Sequence, residues 1–437
     1  MFGLRGIIFI LISVSGSGLS LFRPYLGMLA LGVLYFFRPD VYGLEEFVTP
    51  VKWLTVSILI GYLASRRSDP VFKNIGWMVL MLLMYLFSTI FGAHSNIQSW
   101  ETLWLIFKVM VAVFLIEKVC NTPARLAGFV LAMLVGCLYF VKVAIFAWRQ
   151  ANYGDMRVEA VIGQGGGSNY IAWVLAATIG FLYYKAIFGK GWQRITAITM
   201  IPMWVVGIMA TGSRGGLLCL LAASAVFLIT MRKFMLLFAT GAAVMIFLAM
   251  APQAYMQRME TITLDPQKMD TSAFSRYQNF QIGKAIIKDY PIFGTGLDTF
   301  PQVKRSYLPP DYIGSIIHVA HNTYIQMGSE LGLPFLGTFL VVTLLAAMRL
   351  TRRLPDRTRP AQQYLDWVRV GTLSALAATY VQMVKGDVAH MDFFWWLHGL
   401  AYTCHHLRNS ALREAAQKIK IVAPAGKVDS GLLAWEA

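Results

Sequence analysis

The chain has 437 residues, of which 57% are hydrophobic and 14% charged, with a mean hydropathy of +0.58. A soluble globular protein carries about a quarter charged residues, so the composition excludes a soluble domain and points to a chain built to live in lipid. A net charge of +16 would suggest nucleic acid in a soluble protein. Here the excess sits in short inter-helix loops and the tail, where membrane orientation is the simpler cause and no nucleic-acid partner is expected.

Apolar runs of about 15 to 25 residues follow one another along the chain. Each is long enough to cross roughly 30 Å of hydrocarbon as a helix. No dyad alternation marks a β-barrel, so the class is an all-α polytopic membrane protein. The expected spans are 3–21, 24–37, 52–65, 74–92, 103–119, 126–148, 168–188, 194–211, 214–230, 234–251, 322–349, 367–384 and 391–407, about twelve or thirteen crossings. The first two are separated only by Arg23-Pro24, and the second is short. Residues 3–21 are apolar without a small-x-small cleavage site ahead of a soluble domain, so no cleaved signal peptide is expected. Cys120, Cys137, Cys219 and Cys404 are scattered without CxxC spacing and read as small apolar filler.

Basic residues set the orientation. Arg66, Arg67 and Lys73 fall in one loop, Lys118 and Arg125 bound another, and Lys185, Lys190 and Arg194 make a third. Arg232-Lys233 mark a fourth, and Arg349, Arg352, Arg353, Arg357, Arg359 and Arg369 crowd a fifth. Loops rich in Lys and Arg stay cytoplasmic. The alternation therefore places 149–167, 211–214, 252–321 and 385–390 outside, and the tail with Arg408, Arg413, Lys418 and Lys420 inside. The expected organisation is helices over 1–251, an outer (in a Gram-negative cell, periplasmic) segment over 252–321, helices over 322–407, and a cytoplasmic tail over 408–437.

The outer segment is nearly neutral, seven Lys/Arg against six Asp/Glu. After the capping pair Thr271-Ser272, Phe274, Tyr277 and Phe280 recur every three residues, which predicts an amphipathic surface helix over 272–289. Pro291 and Gly294-Thr295-Gly296 end it, and a turn-rich stretch with Pro301, Pro309-Pro310 and Gly314 leads to His321. Loops of this length in compact proteins are more often functional or disordered than incidental.

Four groups carry candidate chemistry. Arg214, inside Thr211-Gly-Ser-Arg-Gly-Gly216, stands at a helix start whose free N–H groups and dipole favour an anion. Arg276, on the surface helix, offers a second guanidinium fork for phosphate oxygens. Arg149 and Arg157 precede the glycine run 163–167 and Ser168-Asn169, which resembles a weak phosphate cradle or equally a glycine-rich membrane entry. His321, before Asn322, Thr323 and Tyr324, opens a membrane helix, and an imidazole there can accept a proton or donate to an oxyanion.

His318, three residues before His321, lacks a convincing third ligand for a metal site. Asp387 and His390 are reserve candidates for a base or orienter, while His398, His405 and His406 read as structural. No DxD or ExD pair appears in the outer loops, so neither metal nor other cofactor is expected, and arginine would neutralise charge instead.

Thr211–Gly216, Ser275-Arg-Tyr-Gln278, Pro291-Ile-Phe-Gly-Thr-Gly-Leu297 and His321-Asn-Thr-Tyr-Ile-Gln-Met-Gly-Ser-Glu-Leu-Gly332, in that order, resemble the O-antigen ligase and polymerase superfamily, over roughly residues 205–345. The resemblance implies inverting glycosyl transfer at the periplasmic face of the bacterial inner membrane, from a glycan on undecaprenyl pyrophosphate. By it, Arg214 and Arg276, with Arg157 as a further contact, would hold the pyrophosphate. His321, with Asn322 and His318, would meet the acceptor. A ligase delivers the chain to a lipid A–core hydroxyl, and one compact outer block before the histidine helix favours that member. A polymerase joining lipid-linked repeat units and a protein O-glycosylation ligase are alternatives. A lipid-linked glycan transporter is the alternative from another class, although transporters place charges at mid-membrane and show inverted repeats.

Overall fold

The structure is a computed structural model that describes residues 4–36, 50–65, 75–150, 167–233, 271–315, 317–352 and 359–422, with two isolated positions, 245 and 269. The expected span 234–251, Arg157, the glycines 163–166 and residues 252–268 lie outside the described residues.

Among the described residues the secondary structure is helical throughout, with no strand. The elements are α1 (Leu4–Phe22), α2 (Pro24–Leu34), α3 (Pro50–Ala64), α4 (Gly76–Phe91), α5 (Ile97–Val119), α6 (Pro123–Gln150), α7 (Ser168–Phe188), α8 (Trp192–Ala210) and α9 (Arg214–Met231). Then come α10 (Thr271–Asp289), the single turn α11 (Phe300–Val303) running into a 3-10 turn (Lys304–Tyr307), α12 (Thr323–Thr351), α13 (Pro360–Met383) and α14 (Asp392–Val422). Five of these, α6 to α9 and α12, are long and apolar enough to cross a membrane, and shorter apolar helices accompany them. The chain is a membrane protein.

Helix ends follow local chemistry more than hydropathy. α5 begins at Ile97, ahead of the expected 103, because Asn96 caps it: its Oδ1 accepts from Gln98 N and Ser99 N, and Ser99 Oγ accepts from Asn96 N. Pro360 starts α13 seven residues before the apolar run, proline being favourable in a first helical turn. α14 continues to Val422, so Arg408 and Arg413 belong to a helix. Arg369 corrects the loop tally. It is buried inside α13, where Nε and Nη2 donate to Asp366 Oδ1 at 2.9 and 2.7 Å, and Nη1 donates to Leu350 O at the end of α12. A guanidinium paired this way ties α13 to the end of α12 and lies within a helix, not in the loop.

The centre of the bundle is α7, which packs on α8, α9 and α13. Every residue from Ile171 to Ala177 is fully buried, as expected for a helix that is apolar all round. At Gly216 of α9 an added Cβ would stand 2.4 Å from Ala172 Cβ, so only glycine lets α9 approach α7 this closely. The surface helix predicted over 272–289 is α10. Ile282 and Ile286 pack with Phe300, Val303, Ala320 and Ile325 in a small second core, while Tyr277 and Phe280 stay exposed. The stretch after α10 is thus folded onto the start of α12.

α12 is broken. Gly332 takes φ 83 and ψ 169, and Pro334 follows. Proline has no N–H for the carbonyl four residues back, which leaves Glu330 O without its helical donor. Gly296 N donates to it at 2.8 Å, and Ser88 Oγ of α4 also reaches it. Thr295 N donates to Ser329 O at 3.0 Å, and Leu333 N to Pro291 O at 2.8 Å. The Glu330 carboxylate accepts from Asp298 N, Phe300 N and Gln326 Nε2. The 291–300 turn therefore fills the break and recaptures Ser329 O, Glu330 O and Leu333 N.

Two glycines of α12 should respond oppositely to alanine. At Gly332 the conformation is one that side chains rarely adopt, and a Cβ would meet Ile292 O at 2.0 Å. We expect Gly332→Ala to cost at least about 1–3 kcal/mol. At Gly337 nothing lies within 4 Å, and we expect Gly337→Ala to change stability by no more than about 1 kcal/mol. Thermal unfolding in detergent micelles measures both, and equal losses would contradict the described break.

Candidate functional site

His321 lies in the last loop before α12 with φ +53, a left-handed conformation that costs an L-residue roughly 1–2 kcal/mol. The next residues hold it there. Asn322 Oδ1 accepts from Ile325 N and caps α12, while Asn322 Nδ2 donates to Val384 O at 3.3 Å. Thr323 Oγ1 donates to Gly386 O at 2.8 Å and accepts from Val388 N at 3.1 Å. The His-Asn-Thr triplet is thereby sewn to the turn that follows α13. Lys304 holds the other side. Its buried ammonium donates to Tyr312 Oη, Ser315 O and His318 O at 3.2, 2.8 and 2.6 Å, which fixes the 312–318 loop.

Arg214 is the first residue of α9. Ser213 Oγ accepts from Gly216 N and donates to Asn169 Oδ1 at 2.6 Å. The described end of the glycine run, Gly167-Ser168-Asn169, therefore meets the Arg214 turn at the start of α7. Lys385, on the turn after α13, closes the gap between Arg214 and His321. A Cβ on Gly215 would lie 3.5 Å from its Cδ, and the adjacent Val384 carbonyl is the one Asn322 holds.

The electrostatics bind the same groups together. Burial lowers the Lys385 pKa, and the positive charges of Arg276 and Arg214 act in the same direction. Burial lowers the His321 pKa to about 4, reinforced by Arg276, His318 and Lys304. Arg276 thus acts on both His321 and Lys385, and Arg214 on Lys385. The structure gathers Arg214, Arg276 and His321 from three separate parts of the chain, with Lys385 among them. No carboxylate is among the groups that act on His321.

The remaining candidates fall as follows. Asn322 is a cap and a tether. His318 is exposed, its ring centroid 5.5 Å from that of His321. Arg149 is exposed at the end of α6. Asp387 pairs with His390 at 3.4 Å, and burial raises its pKa, with Asp298 adding to the rise. It belongs to the side of the turn that faces Asp298 and is not among the groups acting on His321. Among the described residues no group of three or more His, Cys, Asp or Glu could hold a metal ion.

Lys385 is the residue that sequence reasoning missed. Lys385-Gly386 directly precedes Asp387 and is a basic residue in a loop assigned to the outside, against the prevailing bias. That exception was the available signal.

A neutral imidazole beside a guanidinium can accept a proton, and a gathering of cations suits a polyanion. Two shifts follow. Arg276→Gln removes a positive neighbour and should raise the His321 pKa above about 4. Inorganic pyrophosphate added to the wild type should raise it further by cancelling the same charges. Nitrogen-15 histidine NMR of the detergent-solubilised protein reads both, and no response to either change would separate His321 from the cation cluster.

Residues 195–342 match the family model described as O-antigen ligase. They run from α8 through α9 and α10 into the second half of α12, and so contain Arg214, Arg276 and His321, while Lys385 lies beyond them. No curated protein matches the chain.

Proposed function

Starting from a chain that carries, over residues 195–342, a domain of the O-antigen ligase/polymerase superfamily, we propose that it is an O-antigen ligase. In this reading it transfers a glycan from undecaprenyl pyrophosphate to a lipid A–core hydroxyl at the periplasmic face of the inner membrane. The observation that supports the reading is that Arg276 acts on both a neutral His321 and Lys385, while Arg214 acts on Lys385.

The reaction needs little beyond charge and position. The acceptor hydroxyl oxygen attacks C1 of the reducing-end sugar from the face opposite the diphosphate. The new C1–O bond forms as the C1–O–phosphate bond breaks, and the electron pair leaves with undecaprenyl pyrophosphate. A single displacement inverts the anomeric centre. Arg214, Arg276 and Lys385 stabilise the negative charge growing on the leaving diphosphate. His321 takes the hydroxyl proton and passes it to water.

Arg276 couples the two halves of the site. Burial, reinforced by Arg276, keeps His321 neutral and makes it a weak base. A bound diphosphate cancels the Arg276 charge, so the imidazole gains proton affinity when a donor is in place. Futile proton uptake at an empty site is thereby disfavoured.

Arg214→Ala, Arg276→Ala and His321→Ala should each lower transfer at least about 100-fold with protein abundance unchanged, the order expected for losing an electrostatic stabiliser or general base. Normal capped lipopolysaccharide from all three variants would overturn the assignment. Transfer should also persist in excess EDTA. Strong inhibition reversed by one divalent ion would overturn the arginine-based scheme.

Lipopolysaccharide from a deletion strain separates the acceptor readings. A ligase leaves core without any ladder and polymer on the lipid carrier. A polymerase leaves core bearing a single repeat. An intact ladder with unglycosylated protein substrates would move the acceptor to protein, and an unchanged ladder with failed carrier export would favour transport.

A further inference from the structure

At the end of the bundle opposite His321 the structure contains a second concave site. α4, the far half of α12 and α14 enclose a cavity of about 800 Å³, within the size range of ligand-binding pockets. α12 runs from the His321 loop at Thr323 to Arg349 at the cavity, roughly 39 Å away at 1.5 Å per residue. The two sites therefore share a helix and no lining residue.

The wall chemistry is divided. One side is basic and polar, with Arg349, His405, His406, Asn409 and Arg413. Arg349 stacks over the Tyr402 ring at 4.5 Å, and Tyr402 lies flat on Trp77 with centroids 4.5 Å apart. Tyr402 Oη donates to Val342 O, which locks this aromatic shelf to α12. Arg352 and Arg408 add positive charge around His405, and among the described residues no Asp or Glu lines the cavity.

Buried polar groups here lack partners. Trp77 Nε1 is a buried donor with no acceptor. His405 Nε2 is engaged by Asn409, which leaves its buried Nδ1 unpartnered. A buried polar group without a partner costs about 1–3 kcal/mol, and both groups belong to residues that line the cavity.

The other side is apolar. Leu80, Val341 and Leu345 line the cavity and are also exposed on the surface of the bundle, and a Cβ on Gly76 or Gly337 would enter open space. A cavity with a cationic head and a wall open toward hydrocarbon has the polarity of a phospholipid, which a water-soluble anion does not need.

We propose that this cavity binds an anionic phospholipid in the leaflet opposite the candidate active site, with its phosphate held by Arg349 and Arg413 and an acyl chain along Leu80, Val341 and Leu345. Basic pockets between membrane helices are suited to acidic headgroups. The site is independent of the transfer reaction, so failure of either reading leaves the other intact.

Native mass spectrometry of the full chain in neutral detergent tests it, with phosphatidylglycerol and phosphatidylcholine titrated in parallel. The wild type should bind phosphatidylglycerol at least about ten-fold more tightly than phosphatidylcholine. The double variant Arg349→Gln/Arg413→Gln should lose that preference. Gly337→Leu, which keeps every charge but fills the cavity, should weaken phosphatidylglycerol about as much, and it decides the matter if the double variant fails to fold. Equal affinity for the two lipids, or wild-type preference in a folded variant, overturns the proposal. Displacement of phosphatidylglycerol by an equal concentration of inorganic phosphate would assign the pocket to a free anion and also overturn it.

Discussion

The fold depends on a broken helix that has been made whole by another part of the chain. Without the 291–300 turn, Ser329 O and Leu333 N of α12 would lose their partners and Glu330 O would keep only Ser88 Oγ. Each such group costs several kcal/mol in an apolar medium. The turn supplies Thr295 N, Gly296 N and Pro291 O in the register required, and the Glu330 carboxylate takes two further backbone donors in return. The polar stretch between α9 and α12 is therefore part of the membrane scaffold at its C-terminal end. Because α10 leads into this turn, the seating of the turn also fixes where Arg276 stands.

On that scaffold the site accepts an electrostatic cost. Arg214 and Arg276 both act on Lys385, and burial with Arg276 holds His321 below its ordinary proton affinity. In the core of the same protein Asp366 pairs with Arg369. The gathering of like charges around Lys385 is the physical reason to read these helix ends as a place for an anionic ligand. Lys304 shows a third use of a buried cation, with all three donors spent on holding a loop.

Much of this was legible in the sequence, and the parts that were not have identifiable causes. Apolar runs located the helices, and the aromatic spacing at Phe274, Tyr277 and Phe280 located α10. Hydropathy could not find the starts of α5 and α13, which are set by Asn96 and Pro360, nor the polar continuation of α14. Gly332 and Pro334 stand openly in the sequence, but what fills the break is a long-range pairing that no local pattern reveals. Arg214, Arg276 and His321 stand out in the sequence through their motifs, and their function is the reading proposed above. The approach of Lys385 to Gly215 was hidden because it arises only when α9 and α13 pack together. Arg369 misled for the opposite reason, since a charge near a basic loop looks like topology until its partner Asp366 is seen one turn away.

The left-handed backbone at His321 has a consequence for selectivity. A side chain whose main chain is locked by Asn322 and Thr323 arrives already aimed, and no binding energy from an incoming molecule goes into swivelling it. On the proposed reading, such a fixed imidazole would test whether a hydroxyl is presented at the right angle, and identification of the molecule that bears it would fall to other groups.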